Sequence, residues 1–262
     1  MDAKKSLGQH WLKDVASLES IVEFADLNKD DFVLEVGPGH GVLTKYLVKE
    51  ASEVLAVEFD DFLYTTLANK VKADNLQVVH QDILEFDFST LPKDYKIVAN
   101  IPYYLTSKLI RNITESNNLP STVVLLIQKE VAERLVGKPG YMSLLSIAAK
   151  IYFDVSLGVV VGSECFDPAP KVDSQVVKLV RLDSVKLTDA EVKGVFRLAK
   201  LAFNSKRKAL LNSLQGGLGI EKSKLTEISE RYKDVDLSLR PQNLQVEDWK
   251  IMYNIFNKEG LI

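Results

Sequence analysis

The sequence has little of what several protein classes need. Its 262 residues hold one cysteine, Cys165, and three scattered histidines, His10, His40 and His80. A single thiol excludes an internal disulfide framework. With the imidazoles dispersed there is no ligand cluster for zinc, so no metal is expected. Cys165 reads as a small, buried or half-buried packing residue. No apolar run approaches the roughly 18 residues of a membrane span. The opening Met1-Asp2-Ala3-Lys4-Lys5-Ser6 has no apolar core, so a cytoplasmic location is expected rather than a secreted one. An excess of positive charge is also missing: 33 Lys and Arg face 36 Asp and Glu, for a net charge of −3.

Taken alone, that balance argues against nucleic acid. Its distribution along the chain points the other way. Residues 183–262 hold 14 basic and 11 acidic residues, net +3, and residues 1–182 hold 19 and 25, net −6. Within the basic part, residues 193–212 carry six Lys and Arg and no acid. A net charge averages such a patch away, but a phosphate backbone beside it would not.

What is present is a run of buried strands alternating with helices. Strand patterns fall at 32–37, 52–59, 76–80, 95–99 and 122–128, with helical periodicity over 60–73, 106–113 and 130–136. Apolar strands that do not alternate imply a parallel sheet covered on both faces. Two further strand runs, 150–161 and 175–182, read as added, antiparallel strands. Beyond Arg181 the pattern is helical to the end, with Gly216-Gly217-Leu218-Gly219 read as a loop between helices. The expected fold is α/β: a Rossmann-like domain over 1–182 followed by a small all-helical domain over 183–262.

The first strand runs into Gly37-Pro38-Gly39-His40-Gly41, a turn that lets a ligand approach backbone N–H groups closely. The dinucleotide fingerprint needs glycine at position 42, where Val42 stands, which disfavours NAD and FAD. Glu58 ends the second strand about 20 residues on, where a carboxylate accepts from both ribose hydroxyls. Asp82 follows the third strand, suited to an adenine amino group. Glu35 precedes the turn, where it can face a cation. Acids around a glycine turn fit a sulfonium ligand better than a pyrophosphate, and point to S-adenosylmethionine.

Asn100-Ile101-Pro102-Tyr103 follows the fourth strand. An exocyclic adenine amine is a poor nucleophile because its lone pair is delocalised into the ring. Two acceptors on its hydrogens shift density back to nitrogen. The Asn100 amide oxygen supplies one and the Ile101 carbonyl, held by Pro102, the other. Tyr103 offers a face for a base. Alignment of the reacting atoms then supplies up to about 7–11 kcal/mol.

These motifs resemble the ribosomal RNA adenine N6-dimethyltransferases over nearly the whole chain. The resemblance rests on Leu7-Gly8-Gln9-His10-Trp11-Leu12, Glu35 to Thr44, Gln81-Asp82, Asn100 to Tyr104, Gln128 to Arg134, Phe166 to Ser174 and Phe203 to Asn212. It implies that His10 and Leu12 close over the cofactor, which Gly37, Glu58, Asp82 and Asn100 hold, beside Gly39 and Gly41 of the turn already read as cofactor-binding. It also implies that Phe166 stacks on a flipped adenine opposite Tyr103. The implied substrate is a pair of neighbouring adenosines near the 3′ end of small-subunit rRNA, within an assembling small ribosomal subunit. DNA is not an expected partner, and a monomer is the starting expectation. Trp11 stands where the family has Phe, and Met142, in a short Lys138–Met142 segment, where Gly is common. Lys206, Arg207 and Lys208 are the phosphate-binding candidates, with Lys193, Arg197 and Lys200 near them and Lys4, Lys5 and Lys13 able to extend the footprint. Three rival readings are the related large-subunit rRNA methylase, a binding factor without catalysis, and a DNA adenine methylase, which the whole-chain match disfavours.

Overall fold

The structure, a computed structural model, describes residues 9–262. Along the chain come β1 (Trp11–Leu12), α1 (Val15–Ala25), β2 (Phe32–Val36), α2 (Thr44–Glu50), β3 (Glu53–Glu58), α3 (Asp61–Lys70), β4 (Leu76–His80) and β5 (Lys96–Asn100). Then follow α4 (Thr106–Glu115), β6 (Thr122–Gln128), α5 (Lys129–Val136), α6 (Leu144–Tyr152), β7 (Phe153–Val161), β8 (Phe166–Asp167) and β9 (Ser174–Arg181). The remaining helices are α7 (Asp189–Phe203), α8 (Leu210–Leu218), α9 (Lys222–Arg231) and α10 (Val246–Lys258). The chain divides into two compact units. One is Met1–Glu133 with Phe153–Arg181; the other is Arg134–Tyr152 with Leu182–Ile262.

The first unit is built on a seven-stranded sheet in the order β4-β3-β2-β5-β6-β9-β7. Strands β2 to β6 are parallel, and β9 pairs antiparallel with both β6 and β7. Neighbouring positions such as Val33 and Leu34, or Val54 and Leu55, are all buried, so both faces are covered. Leu18 and Ile21 of α1 and Leu47 of α2 pack against Val33, Val54, Val98 and Val124 on one face. Asp14 caps α1 by accepting from Ser17 N at 2.8 Å. The sheet order reverses between β2 and β5. That leaves a crevice at the strand carboxyl ends, the place where ligands bind in doubly wound sheets.

The second unit is helical among the described residues. Its core gathers Val195 and Leu198 of α7, Leu214 of α8, Leu225 and Ile228 of α9, and Trp249 and Phe256 of α10. Thr188 and Glu191 form a reciprocal capping box at the start of α7.

Three local expectations are corrected. Residues 150–152 are the last turn of α6, not the start of a strand: Ile147 and Ile151, four apart, are both fully buried in the helical core. Residues 134–152 therefore belong with the helical unit, which the strand-to-helix switch near 182 does not reveal. Gly216, Gly217 and Leu218 lie inside α8, and only Gly219 leaves the helix, in the left-handed conformation. A Cβ on Gly217 would stand 3.0 Å from Leu201, so this glycine lets α8 approach α7.

Trp249 is fully buried and sits with its ring 6.3 Å from that of Phe203. Trp249→Ala is expected to lower the stability of the helical unit by about 3–5 kcal/mol, read from urea unfolding.

Candidate active site

The crevice is furnished by the ends of four adjacent strands. Gly37 donates its N–H to Val57 O at 2.9 Å, which ties the glycine turn to β3. Gly37 and Gly39 have φ of +64° and +58°, a region that side-chain-bearing residues avoid. A Cβ on Gly37 would meet nothing within 4 Å, so its backbone is open to the crevice. A Cβ on Gly39 would stand 2.5 Å from the Trp11 ring, which lies over this turn. Gly41 has another place: its Cβ would meet Leu67 and Val71 at 2.6 and 2.8 Å, so it serves packing against α3 and lines neither cavity described below.

Glu58, at the end of β3, accepts from Gly39 N at 3.1 Å and from Asp60 N at 2.8 Å. Asp60 in turn caps α3. The carboxylate is thus fixed between the glycine turn and a helix start. Asp82 is half-buried after β4 and accepts from Leu84 N through Oδ1 at 2.9 Å. Its other oxygen has no such bond. Glu35 is 1% exposed, and its Oε2 has no hydrogen-bond partner among the described residues.

Two cavities meet here, sharing Gln9, Gly37, Glu58 and Pro102. The first is lined by His10, Leu12, Glu35, Asn100, Tyr103 and Phe166, with Ile101 and Gly39 also on its wall. The second is lined by Asp82, Ile83, Phe59 and Tyr104. Phe59 and Tyr104, 58% and 55% exposed, escape a search for polar motifs, because an aromatic beside a motif reads as packing.

Asn100 ends β5, half-buried, and its amide makes no hydrogen bond among the described residues. Ile101 is buried, and Pro102 opens a 3-10 turn in which Leu105 N bonds Pro102 O at 2.9 Å. The Tyr103 hydroxyl is 2.8 Å from Ser174 Oγ, a fully buried side chain on β9. The His10 ring stacks on one face of Tyr103, with centroids 5.8 Å apart, and its Nδ1 is 2.7 Å from Pro168 O. Strand β1 pairs antiparallel with β8, so that Leu12 lies opposite Phe166 and Trp11 opposite Asp167. Lys13 reinforces this ribbon, through its N–H to Cys165 O at 2.9 Å and its ammonium to Asp167 at 2.7 Å.

The electrostatics are one-sided. Among the described residues none of Glu35, Glu58 and Asp82 has a salt-bridge partner. Burial pushes the Glu35 carboxyl up to about 8; the Thr44 hydroxyl opposes this and Glu58 adds to it. Burial also raises Glu58, against the N–H groups of Asp60 and Gly39. His40, whose ring is 4.6 Å from that of Trp11, is lowered by burial and then by Lys70. Buried acids without cations, a carboxylate with N–H groups already at its oxygens, and an open glycine turn suit a cationic ligand that carries hydroxyls. The residues fit S-adenosylmethionine. Among the described residues no group of His, Cys, Asp and Glu could hold a metal ion.

The basic candidates lie outside this crevice. Lys206, Arg207 and Lys208 form the turn between α7 and α8, all exposed. Lys193, Arg197 and Lys200 are exposed on α7. Lys13 is engaged by Asp167. Lys4 and Lys5, with Leu7 and Gly8 of the first motif, lie outside the described residues. No helix among the described residues is long and apolar enough to cross a membrane.

A sheet order that reverses beside a carboxylate-lined crevice is that of a Rossmann-like fold, and the crevice fits the S-adenosylmethionine of a methyltransferase. With residues 1–258 matched by the family model for ribosomal RNA adenine dimethylase, the chain belongs to that family. It is 39% identical over 264 residues to the ribosomal RNA small subunit methyltransferase A of Dehalococcoides mccartyi, covering 98% of this chain and 89% of that one. A crystal structure of a dimethyladenosine transferase from Plasmodium falciparum is similar with a TM-score of 0.80 at 29% identity, over 95% of this chain and 98% of that one. The 23S rRNA methyltransferase ErmE is similar with a TM-score of 0.75 at 25% identity, over 94% and 99%.

The Glu35 shift has a consequence for the free protein. A carboxyl raised from 4.5 to about 8 holds a proton when folded that it gives up when unfolded. Between those values the unfolded chain binds fewer protons, so stability falls as pH rises from about 4.5 to about 8 and then levels. Glu35→Gln is expected to remove that slope, measured by urea unfolding at a series of pH values. A slope unchanged in the variant would assign it to other groups.

Proposed function

We propose that the protein transfers two methyl groups to N6 of each of two adjacent adenosines near the 3′ end of small-subunit rRNA, during assembly of the small ribosomal subunit. The observation that carries this reading is a single cavity. In it an amide free of hydrogen bonds, Asn100, stands with Tyr103 and Phe166 beside the acid-lined crevice. The 39% identity to a small-subunit methyltransferase supports the subunit assignment.

Glu58 would hold ribose hydroxyls, and the free Asp82 oxygen an adenine amine. Glu35 would hold a cationic group, and Gly37 would let the ligand approach the backbone. S-adenosylmethionine supplies an electrophilic methyl group when bound. Everything else in the reaction is positioning by the chain. Asn100 Oδ1 and the Ile101 carbonyl accept from the target amine and return lone-pair density to its nitrogen. No strong base is needed, because that nitrogen sheds its proton after becoming cationic. Phe166 and the open face of Tyr103 hold an extruded base, offsetting an unstacking cost of about a few kcal/mol. Ser174 is a positioning residue that fixes the Tyr103 ring through its hydroxyl. Lys206, Arg207 and Lys208 bind phosphates of folded rRNA. The protein works as a cytoplasmic monomer.

Transfer of tritiated methyl groups to unmodified small subunits tests the reading, with two groups expected at each of two adenosines. Label on large subunits instead, placed by primer extension, would favour the ErmE-like alternative; no transfer to either would favour a binding factor. Asn100→Ala is expected to lose about 100-fold or more in rate while keeping part of its cofactor affinity, measured by calorimetry. A near wild-type rate would end the mechanistic proposal.

Replacing Lys206, Arg207 and Lys208 together by Ala is expected to weaken small-subunit binding. It should also flatten the plot of log affinity against log salt by about 2, since single-stranded contacts contribute about 0.7 each. Cofactor affinity should not change. Equal subunit affinity at low and moderate salt would remove these residues from the interface.

A further inference from the structure

The division of the chain sharpens the charge separation. The helical unit, with residues 134–152 included, holds 17 Lys and Arg against 11 Asp and Glu, net +6. The other unit holds 16 against 25, net −9. Residues 134–152 add Arg134, Lys138 and Lys150 and no acid.

Within this segment, Gly137 to Ser143 connect α5 to α6. The connection is pinned along its length. Tyr141 N bonds Lys138 O at 2.9 Å, and Gly140 N and Met142 N both bond Gln242 O, at 2.8 and 3.2 Å. Met142 is buried in the helical core. Ser143 and Ser146 bond each other reciprocally at the start of α6. Yet Tyr141 is 73% exposed, more than any other large apolar or aromatic side chain described. A fixed loop thus displays an aromatic ring that no described residue covers. Because tyrosine has few rotatable bonds, holding such a ring against a ligand costs little entropy.

The loop lies near the basic turn. Leu210 N, two residues beyond Lys208, bonds Leu239 O at 2.8 Å, and Gly140 N bonds Gln242 O. Leu239 and Gln242 are three residues apart, about 10 Å at full extension. Between them stands Arg240, exposed. Residues 134–152, 192–220 and 237–246, which build this strip, contain no Asp or Glu. The strip therefore presents Lys206, Arg207, Lys208, Arg240 and Lys138 with one exposed ring among them. Cations that follow phosphates, with an aromatic face for a base, are the recognition chemistry of single-stranded nucleic acid.

We propose that the Gly137–Ser143 loop is a second RNA-contact element, in which Tyr141 stacks on an unpaired rRNA base while Lys138 and Arg240 extend the phosphate-binding strip of Lys206–Lys208. This rests on the reading of the protein as an rRNA-modifying enzyme. It adds a contact remote in sequence from the motifs of the crevice.

The test uses the full chain with two probes: unmodified small subunits, and the same rRNA stripped of protein. Tyr141→Ala is expected to weaken binding to both by about fivefold or more. Tyr141→Phe and Tyr141→Trp should stay within about twofold of the wild type, because they keep a stacking face. The salt slope of Tyr141→Ala should match the wild type, since no cation is lost, and its cofactor affinity should not change. Unaltered binding by Tyr141→Ala overturns the proposal, as does a loss in Tyr141→Phe equal to that in Tyr141→Ala. A loss on intact subunits that is absent on stripped rRNA also overturns it, by assigning Tyr141 to a protein partner. If the Lys206, Arg207 and Lys208 replacement weakens binding while Tyr141→Ala does not, only this inference falls. If the wild type binds neither probe, the functional reading falls with it.

Discussion

Three carboxylates converge at the carboxyl ends of β2, β3 and β4, and among the described residues no cation neutralises them. Much else in the first unit follows from that arrangement. Glu35, 1% exposed and raised to about 8, keeps its proton near neutral pH unless a cation lies beside it, because ionised groups in low dielectric are costly without a partner, and burial raises Glu58 in the same direction. The glycine turn answers part of the problem by placing the Gly39 N–H against Glu58. It leaves Glu35 with an orphaned oxygen. A cationic ligand removes the conflict, so its charge contributes to binding as well as to reactivity. The cost of burying the acids is borne by folding and recovered on binding.

The side of the same cavity that holds Asn100, Tyr103 and Phe166 is built by a different device. The parallel part of the sheet supplies Asn100 and the rigid turn after it. The antiparallel addition, β9, supplies Ser174, which fixes Tyr103. The short β1–β8 ribbon brings Trp11 over the glycine turn and keeps Phe166 in the opposite wall. One two-stranded element therefore carries both Trp11, over the glycine turn, and Phe166, in the cavity wall. A displacement of β1 would disturb Trp11, His10 and Phe166 together. That gives a physical reason for the motif around His10 to lie so far in sequence from the motif around Phe166.

Much of this was legible in the sequence because it is local. Strands β2 to β6 announce themselves as apolar runs, and acids and an amide at their ends declare themselves by position. What escaped is non-local or ambiguous in period. Lys150 to Tyr152 read as the start of a strand because they run straight into the apolar Phe153–Val161 stretch; only the Ile147–Ile151 spacing and the Ser143–Ser146 cap mark them as the last turn of a helix. Gly216 and Gly217 read as a loop because glycine is poor in isolated helices, yet both lie inside α8, where Gly217 packs closely against Leu201. Gly41 belongs to the glycine motif in spacing but to the α3 contact in space. The β1–β8 ribbon joins segments some 155 residues apart and has no signal in either alone. Ser174 closes the motif that begins at Phe166, but its tie to Tyr103 needed the antiparallel register of β9.

The charge separation unites these features. A chain of net −3 is a poor candidate for binding RNA if its charge is spread evenly. Here the negative charge sits in the unit whose crevice takes a cation, and the positive charge in the unit that carries the basic turn. Each charge field then favours one ligand, and each would repel the other's. The crevice gains from being acidic only if phosphates are met mainly elsewhere. An extruded adenine satisfies that condition, since a neutral base can leave its phosphates behind on entering an acidic cavity. On the proposed reading, the polyanion would be met by the basic residues and a single uncharged base by the crevice, whose larger cavity is lined by aromatic rings and an amide and, among the described residues, by no Lys or Arg.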